Sequence, residues 1–363
     1  MPKFAIKRVL LQGGASGYLQ TKNVLDRLSD VPVDQVDGIE PVTSPYEREM
    51  GKDTLCLLPY KGRFFKPCPG TNKYICCGYQ ILNVATNCPL DCSYCILQAY
   101  LKQPYLRVFV NLEEELEHVM RVIDMQPESI FRVGTGEFTD SLAIDPFTGW
   151  SDLLLPLFSS RKNAVLELKT KTKQIERLLR SKYRERIIVS WSLNSPYIAT
   201  HEEHGATDLR GRLEAARQCQ SEGFTLGFHF DPLIAHPKWK EDYLRTLELM
   251  DKYVDPKGII WFSLGSLRFM PEFKGIVRKR HPKTRVLDGE FVMGLDRKMR
   301  YFKPIRIDLY AFIRENLEKW HSSLGLYLCM ESDDVWQKGM GWSPKDNAGL
   351  KQFLDRRVAA FFH

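Results

Sequence analysis

From residue 80 onward the apolar positions switch between two periods. Short apolar runs at 80–85, 130–134, 164–169, 186–192, 224–230 and 258–264 predict strands. Helical spacing fills the gaps at 112–124, 151–160, 174–182, 208–221 and 238–253, with Leu116, Val119, Met120 and Ile123 on one face of the first of these helices. Strands each linked by a helix imply parallel pairing through right-handed crossovers. Eight units close a barrel and six leave it open, so the expected α/β fold is a partial (β/α)6 barrel that admits a large substrate from the side. Its chemistry is expected at the C-terminal ends of the strands.

The flanks follow other rhythms. Residues 1–75 predict a small α/β region: strands at 7–12 and 54–59 and a helix at 21–29. Gly13-Gly14-Ala15-Ser16-Gly17 lacks the Lys-Ser/Thr of a phosphate loop and reads as a turn. The barrel is expected to span 76–265. After it, 266–363 reads as an α+β extension with a short basic helix at 272–280, a hairpin around Gly294–Arg297, a helix at 307–319 and a short strand at 324–330. The segment carrying Trp336 and Trp342 has no assignment.

Charge adds one feature. The net charge is +7, and the stretch 268–306 alone holds twelve Lys/Arg against four Asp/Glu, a local +8. Such a stretch suits a phosphate backbone, or it is a solvated surface. No apolar run is long enough to cross a membrane, and 1–5 lacks a signal-peptide core. Nine cysteines form no spaced framework, which points to a reducing cytoplasm.

Three of those cysteines carry the chemistry. Cys88, Cys92 and Cys95 are spaced C-x3-C-x2-C directly after the first barrel strand. Three thiolates on one loop can ligate three irons of a [4Fe–4S] cluster and leave the fourth open. The alternatives are a zinc site, for which no second ligand pair follows, or simple burial. Cys56, Cys68, Cys76 and Cys77 match no metal spacing and read as small buried thiols.

The strand ends are polar. Gly134-Thr135-Gly136-Glu137 follows the second strand, Lys169 and Lys171 end the third, Ser192 and Asn194 end the fourth, and Asp231 follows the fifth. Glycines admit close backbone approach, and a lysine suits a ligand carboxylate.

The cysteine spacing, with an aromatic before the third cysteine, resembles the radical S-adenosylmethionine (SAM) enzymes. Further segments resemble the spore photoproduct lyase family: Phe109–Glu114, Thr139–Asp145, Gly227-Phe228 with Pro232, and Trp239 with Glu241 and Tyr243. The resemblance covers about 54–320. It implies a cluster on Cys88, Cys92 and Cys95, and reductive cleavage of SAM to a 5′-deoxyadenosyl radical that acts on a DNA lesion. It also implies an external electron donor of flavodoxin or ferredoxin type. Gly134, Gly136, Glu137, Thr139, Lys171 and Ser192 fall where that family contacts SAM, and Asn194 and Asp231 are candidates beside them. The hairpin at 294–303 falls where the family grips DNA. Two positions depart from the pattern. Glu137 stands where the family has a hydrogen-donating cysteine, and Ile96 stands where it has a relay tyrosine. None of the remaining cysteines sits at a predicted strand end, so no replacement thiol is expected. A radical SAM enzyme acting on a small molecule or peptide, and a non-catalytic cluster protein that binds nucleic acid, remain open from the sequence.

Overall fold

The computed structural model describes residues 4–38, 51–71 and 73–362. Its first strands are β1 (Arg8–Gln12), β2 (Val33–Val36), β3 (Thr54–Leu58), β4 (Phe65–Pro67), β5 (Gln80–Leu82), β6 (Ala85–Thr86) and β7 (Leu106–Phe109). They are followed by β8 (Phe131–Gly134), β9 (Ala164–Thr170), β10 (Ile187–Ser192), β11 (Thr225–Leu233) and β12 (Ile259–Ser266). The last are β13 (Arg268–Phe269), β14 (Phe291–Met293), β15 (Met299–Tyr301) and β16 (Leu326–Leu328).

The central sheet runs β16-β12-β11-β10-β9-β8-β5-β4. Every neighbouring pair from β5 to β16 is parallel, and only β4 runs antiparallel at the edge. All six predicted strands are present in order. A seventh parallel strand, β16, joins β12 through Phe262–Leu326 to Leu264–Leu328. The sequence pattern predicts this strand as part of the extension; it returns to the sheet only after some sixty residues of hairpin and helix.

Strands covered on both faces read as near-continuous apolar runs. Leu166, Val189, Phe228, Phe230 and Phe262 are all buried, and the three phenylalanines stack at centroid distances of 5.5 and 6.4 Å. Helix Leu209–Ser221 starts where Asp208 accepts a hydrogen bond from the Gly211 amide, an N-cap that fixes its first turn. The segment without an assignment forms helices Asp333–Met340 and Asn347–Phe361. Trp336 and Trp342 pack edge to face at 5.0 Å, and Arg357 ties the last helix to the Ile260 carbonyl of β12.

A second sheet, β2-β1-β3-β7-β6, lies N-terminal in sequence. The predicted strand 80–85 is divided between the two sheets. β5 pairs with β8, Asn83 donates its amide to Phe64, and β6 then pairs antiparallel with β7. The cysteine loop therefore leaves from the seam where one sheet hands the chain to the other. The predicted hairpin is β14–β15, with β13 as a third antiparallel strand. Among the described residues no helix is long and apolar enough to cross a membrane.

Candidate active site

The cysteine loop is held by its neighbours before any ligand is considered. Asn87 and Asp91 adopt positive φ angles (74° and 49°) that bend the chain around Cys88. Asn87 fixes its own turn by accepting from the Cys88 amide and donating to the Pro104 carbonyl. Gln98 donates to the carbonyls of Cys92 and Ser93. Further support comes from the turn after helix Pro196–His201. There the Ser93 amide donates to the Glu202 carbonyl, the Gly205 amide to the Leu90 carbonyl, and the Ser93 hydroxyl to the Glu202 carboxylate.

Beneath the loop lies a buried ion pair. The Tyr94 hydroxyl donates to Glu203, which also receives Arg212 from helix Leu209–Ser221, and both charged side chains are fully buried. Arg212 spends its other N–H groups on the Thr207 and Ser192 carbonyls. Burial and the Glu203 charge push the Tyr94 phenol well up, so it stays protonated and donates. Burial opposes ionisation of Glu203, but Arg212 and Lys171 outweigh it and hold the carboxyl below its ordinary range.

Gly205 belongs to the same clamp. A β-carbon on it would meet the Leu90 backbone at 2.8–3.0 Å, so the cysteine loop could not keep its position. Gly205→Ala is expected to lower the iron retained after anaerobic reconstitution by about threefold or more while the secondary structure persists. Iron assay beside far-ultraviolet circular dichroism checks this.

Cys88, Cys92 and Cys95 line one cavity of about 190 Å³ at the C-terminal mouth of the barrel, and no fourth cysteine among the described residues lines it. No three His, Cys, Asp or Glu side chains among those residues converge as a single metal ion requires. A cubane instead takes each thiolate on a different iron, and three thiols on a shared wall suit that. Burial drives Cys88 well up and Cys92 up to about 12, so both hold protons until a cation displaces them.

Of the other expected site residues, Gly136, Glu137, Thr139, Lys171, Ser192 and Asp231 line this same cavity. The Thr139 hydroxyl is buried and has no hydrogen-bond partner among the described residues, as a side chain waiting for a polar ligand would be. Asp140, whose role the sequence did not reveal, organises this wall. It accepts from the Leu142, Ala143 and Lys171 amides and from the Thr170 hydroxyl.

Two expected residues stand elsewhere. Gly134 does not line the cavity: a β-carbon there would overlap the Tyr79 hydroxyl at 1.4 Å, so the glycine makes room for a phenol. Asn194 is also absent from the lining, because its amide is used within the fold. It donates to the Pro232 carbonyl and accepts from the Tyr243 hydroxyl and the Ser195 amide.

The small cavity opens into a larger one of about 660 Å³, with Tyr94, Cys95, Ile96, Glu137, Lys169 and Asp231 on the walls of both. At its floor Glu167 accepts from Ser190, His229 and Trp261. Burial resists the Glu167 charge, but His229 and these donors bring it down to about 2. Asp231 accepts two hydrogen bonds from Arg268 at 3.2 and 3.3 Å. Burial is again overcome, by Arg268 and then Lys169, and Asp231 stays ionised below its ordinary range. The expectation that no cysteine stands at a strand end is corrected here. Cys329 directly follows β16 and lines the larger cavity, as do Cys68 and Cys77.

The basic stretch divides. Arg268 and Arg280 are bound inward to Asp231 and Asp91 and hold the extension onto the barrel, whereas Arg300 and Arg306 pair with Asp296 and Glu331 inside the extension. Arg278 and Arg297 face solvent. The hairpin carries Met293 and Leu295 exposed beside Arg297.

Comparison with known proteins matches the profile of the family described as spore photoproduct lyase to residues 69–328. The chain is 25 % identical to a spore photoproduct lyase of Geobacillus sp. (strain Y412MC61) over 329 residues, 88 % of this chain and 93 % of that one. It is 28 % identical to the spore photoproduct lyase of Bacillus subtilis (strain 168) over 238 residues, 65 % of this chain and 68 % of that one. Among solved structures it is similar to a double variant of spore photoproduct lyase with bound AdoMet and dinucleoside spore photoproduct. That match has a TM-score of 0.79 and 25 % identity, and covers 91 % of this chain and all of the other.

Proposed function

The chain belongs to the spore photoproduct lyase family, and on that premise we propose that it is a radical SAM enzyme acting on a nucleobase or lesion in nucleic acid. Its cofactors are a [4Fe–4S] cluster and SAM. When bound, they supply a carbon radical that abstracts hydrogen. The observation that carries this reading is the three-thiol wall with Thr139 beside it in one cavity.

The chain's own residues have separable tasks. Cys88, Cys92 and Cys95 hold the cluster. Lys171 and the Gly136–Thr139 segment, on the cavity wall, hold the charged end of SAM. The Tyr94–Glu203–Arg212 chain keeps the loop seated, and the apolar Ile96 and Leu97 help exclude water. A one-electron donor of flavodoxin or ferredoxin type would supply the electron. Glu137 holds a carboxylate where the family's donor thiol is expected, so this enzyme returns hydrogen from another residue.

Anaerobic reconstitution followed by SAM and dithionite is expected to give 5′-deoxyadenosine, and irradiated thymine-rich DNA is the first substrate to offer. A protein that holds a cluster yet forms no 5′-deoxyadenosine would be the non-catalytic alternative.

Nucleic-acid binding is expected through the solvent-facing cations of the extension. Affinity for a single-stranded oligonucleotide should fall linearly on a log–log plot against salt, and Arg278→Gln with Arg297→Gln should shallow the slope by about 0.7 each. Fluorescence anisotropy across a salt series measures it. A slope near zero in the unsubstituted protein would favour a small-molecule or peptide substrate.

A further inference from the structure

We propose that Cys329 is the catalytic residue that returns a hydrogen atom to the substrate radical in the larger cavity. This rests on the radical reading above and identifies the residue that Glu137 leaves unassigned.

Position is the first argument. β16 is parallel to β12, so the residue that follows it emerges at the C-terminal mouth of the barrel, where the cluster loop also sits. Cys329 lines the larger cavity together with Cys95, Ile96 and Glu137. Cys68 and Cys77 share that cavity but come from the connection between β4 and β5, and β4 runs antiparallel to the barrel strands.

The second argument is that the sulfur is held. Arg268 places one guanidinium N–H 3.4 Å from the Cys329 sulfur, and the same guanidinium is anchored by both oxygens of Asp231. A sulfur that accepts from an anchored donor has a fixed place from which its own S–H can point into the cavity.

Protonation agrees. Burial drives the Cys329 thiol well up, and the Asp231 charge adds to this against the opposing effect of Arg268. Only a protonated thiol has a hydrogen atom to give. In the step, the S–H bond breaks homolytically and its hydrogen forms the C–H bond of the product, leaving a thiyl radical on Cys329. One electron from a low-potential one-electron donor and one proton from solvent restore the thiol.

Two measurements on the cluster-loaded protein test this. Infrared difference spectra, wild type minus Cys329→Ala, should show an S–H stretching band at pH 7. Its absence, meaning a thiolate, overturns the proposal. Turnover in D2O with SAM, dithionite and irradiated oligothymidylate should place deuterium in the repaired product. Cys329→Ala, and Cys329→Ser should the alanine variant fold poorly, should lose about tenfold or more of the deuterium delivered per 5′-deoxyadenosine formed. Unchanged delivery in both variants overturns the assignment. Failure of the unsubstituted protein to form 5′-deoxyadenosine would instead refute the radical reading itself.

Discussion

Cys92→Ala should abolish the cluster and leave the fold standing. Cys92 is the most enclosed of the three thiols, and its segment pairs with Glu203 through an isolated β-bridge. Removing one sulfur from a side chain this small leaves only a minor void, so the unfolding midpoint of the cluster-free protein should shift little. On the proposed ligation the cubane, by contrast, loses one of its three protein ligands. Iron retained after reconstitution should fall at least about tenfold, and 5′-deoxyadenosine formation should fall with it. Iron and sulfide assays beside a urea titration of the cluster-free protein separate the two effects. A variant that keeps its iron would show that the loop does not ligate it.

Arg212→Met carries the second large effect, and here the fold itself suffers. Arg212 and Glu203 are both wholly buried and share a charge-assisted hydrogen bond. Removing the cation takes the ion-pair partner from a buried Glu203 carboxylate and frees the Thr207 and Ser192 carbonyls. Breaking one side of such a pair costs about 3–5 kcal/mol. Converting both partners, Arg212→Met with Glu203→Leu, should restore much of that loss, because a buried pair exchanged for apolar groups is often close to neutral. Tyr94 then loses its acceptor, so the double variant should regain stability without regaining cluster retention. Urea unfolding of the cluster-free single and double variants, with iron assays of each after reconstitution, resolves these outcomes.

Much of this fold is legible in the sequence because its strands are buried on both faces. Phe224–Phe230 and Gly258–Leu264 declare themselves as strands without any partner in view. The cysteine loop is legible for a different reason: ligand spacing within one loop is local. Distance in sequence hides the rest. The short strand at 324–330 is legible, but its place in the barrel is not, because that depends on pairing with residues some sixty positions earlier. That concealed Cys329 as a strand-end residue.

The supports of the loop were hidden in the same way. Glu203 lies 109 residues from the Tyr94 it receives, and nothing near it in the sequence marks a carboxylate destined for burial. Asn194 illustrates the opposite error. A polar residue at a strand end suggests a ligand contact, yet its amide is used by Pro232, Ser195 and Tyr243. The basic stretch shows that counting charge does not reveal direction, since Arg300 and Arg306 point inward to Asp296 and Glu331.

The open iron proposed for the cluster is the point on which the mechanism turns, and electron paramagnetic resonance of the reduced, reconstituted protein reports on it. The account predicts the signal of a reduced [4Fe–4S] cluster whose g-values move when SAM is added, because the ligand takes the corner that Cys88, Cys92 and Cys95 leave open. A signal indifferent to saturating SAM would mean that a fourth protein side chain closes the cluster, and would contradict it.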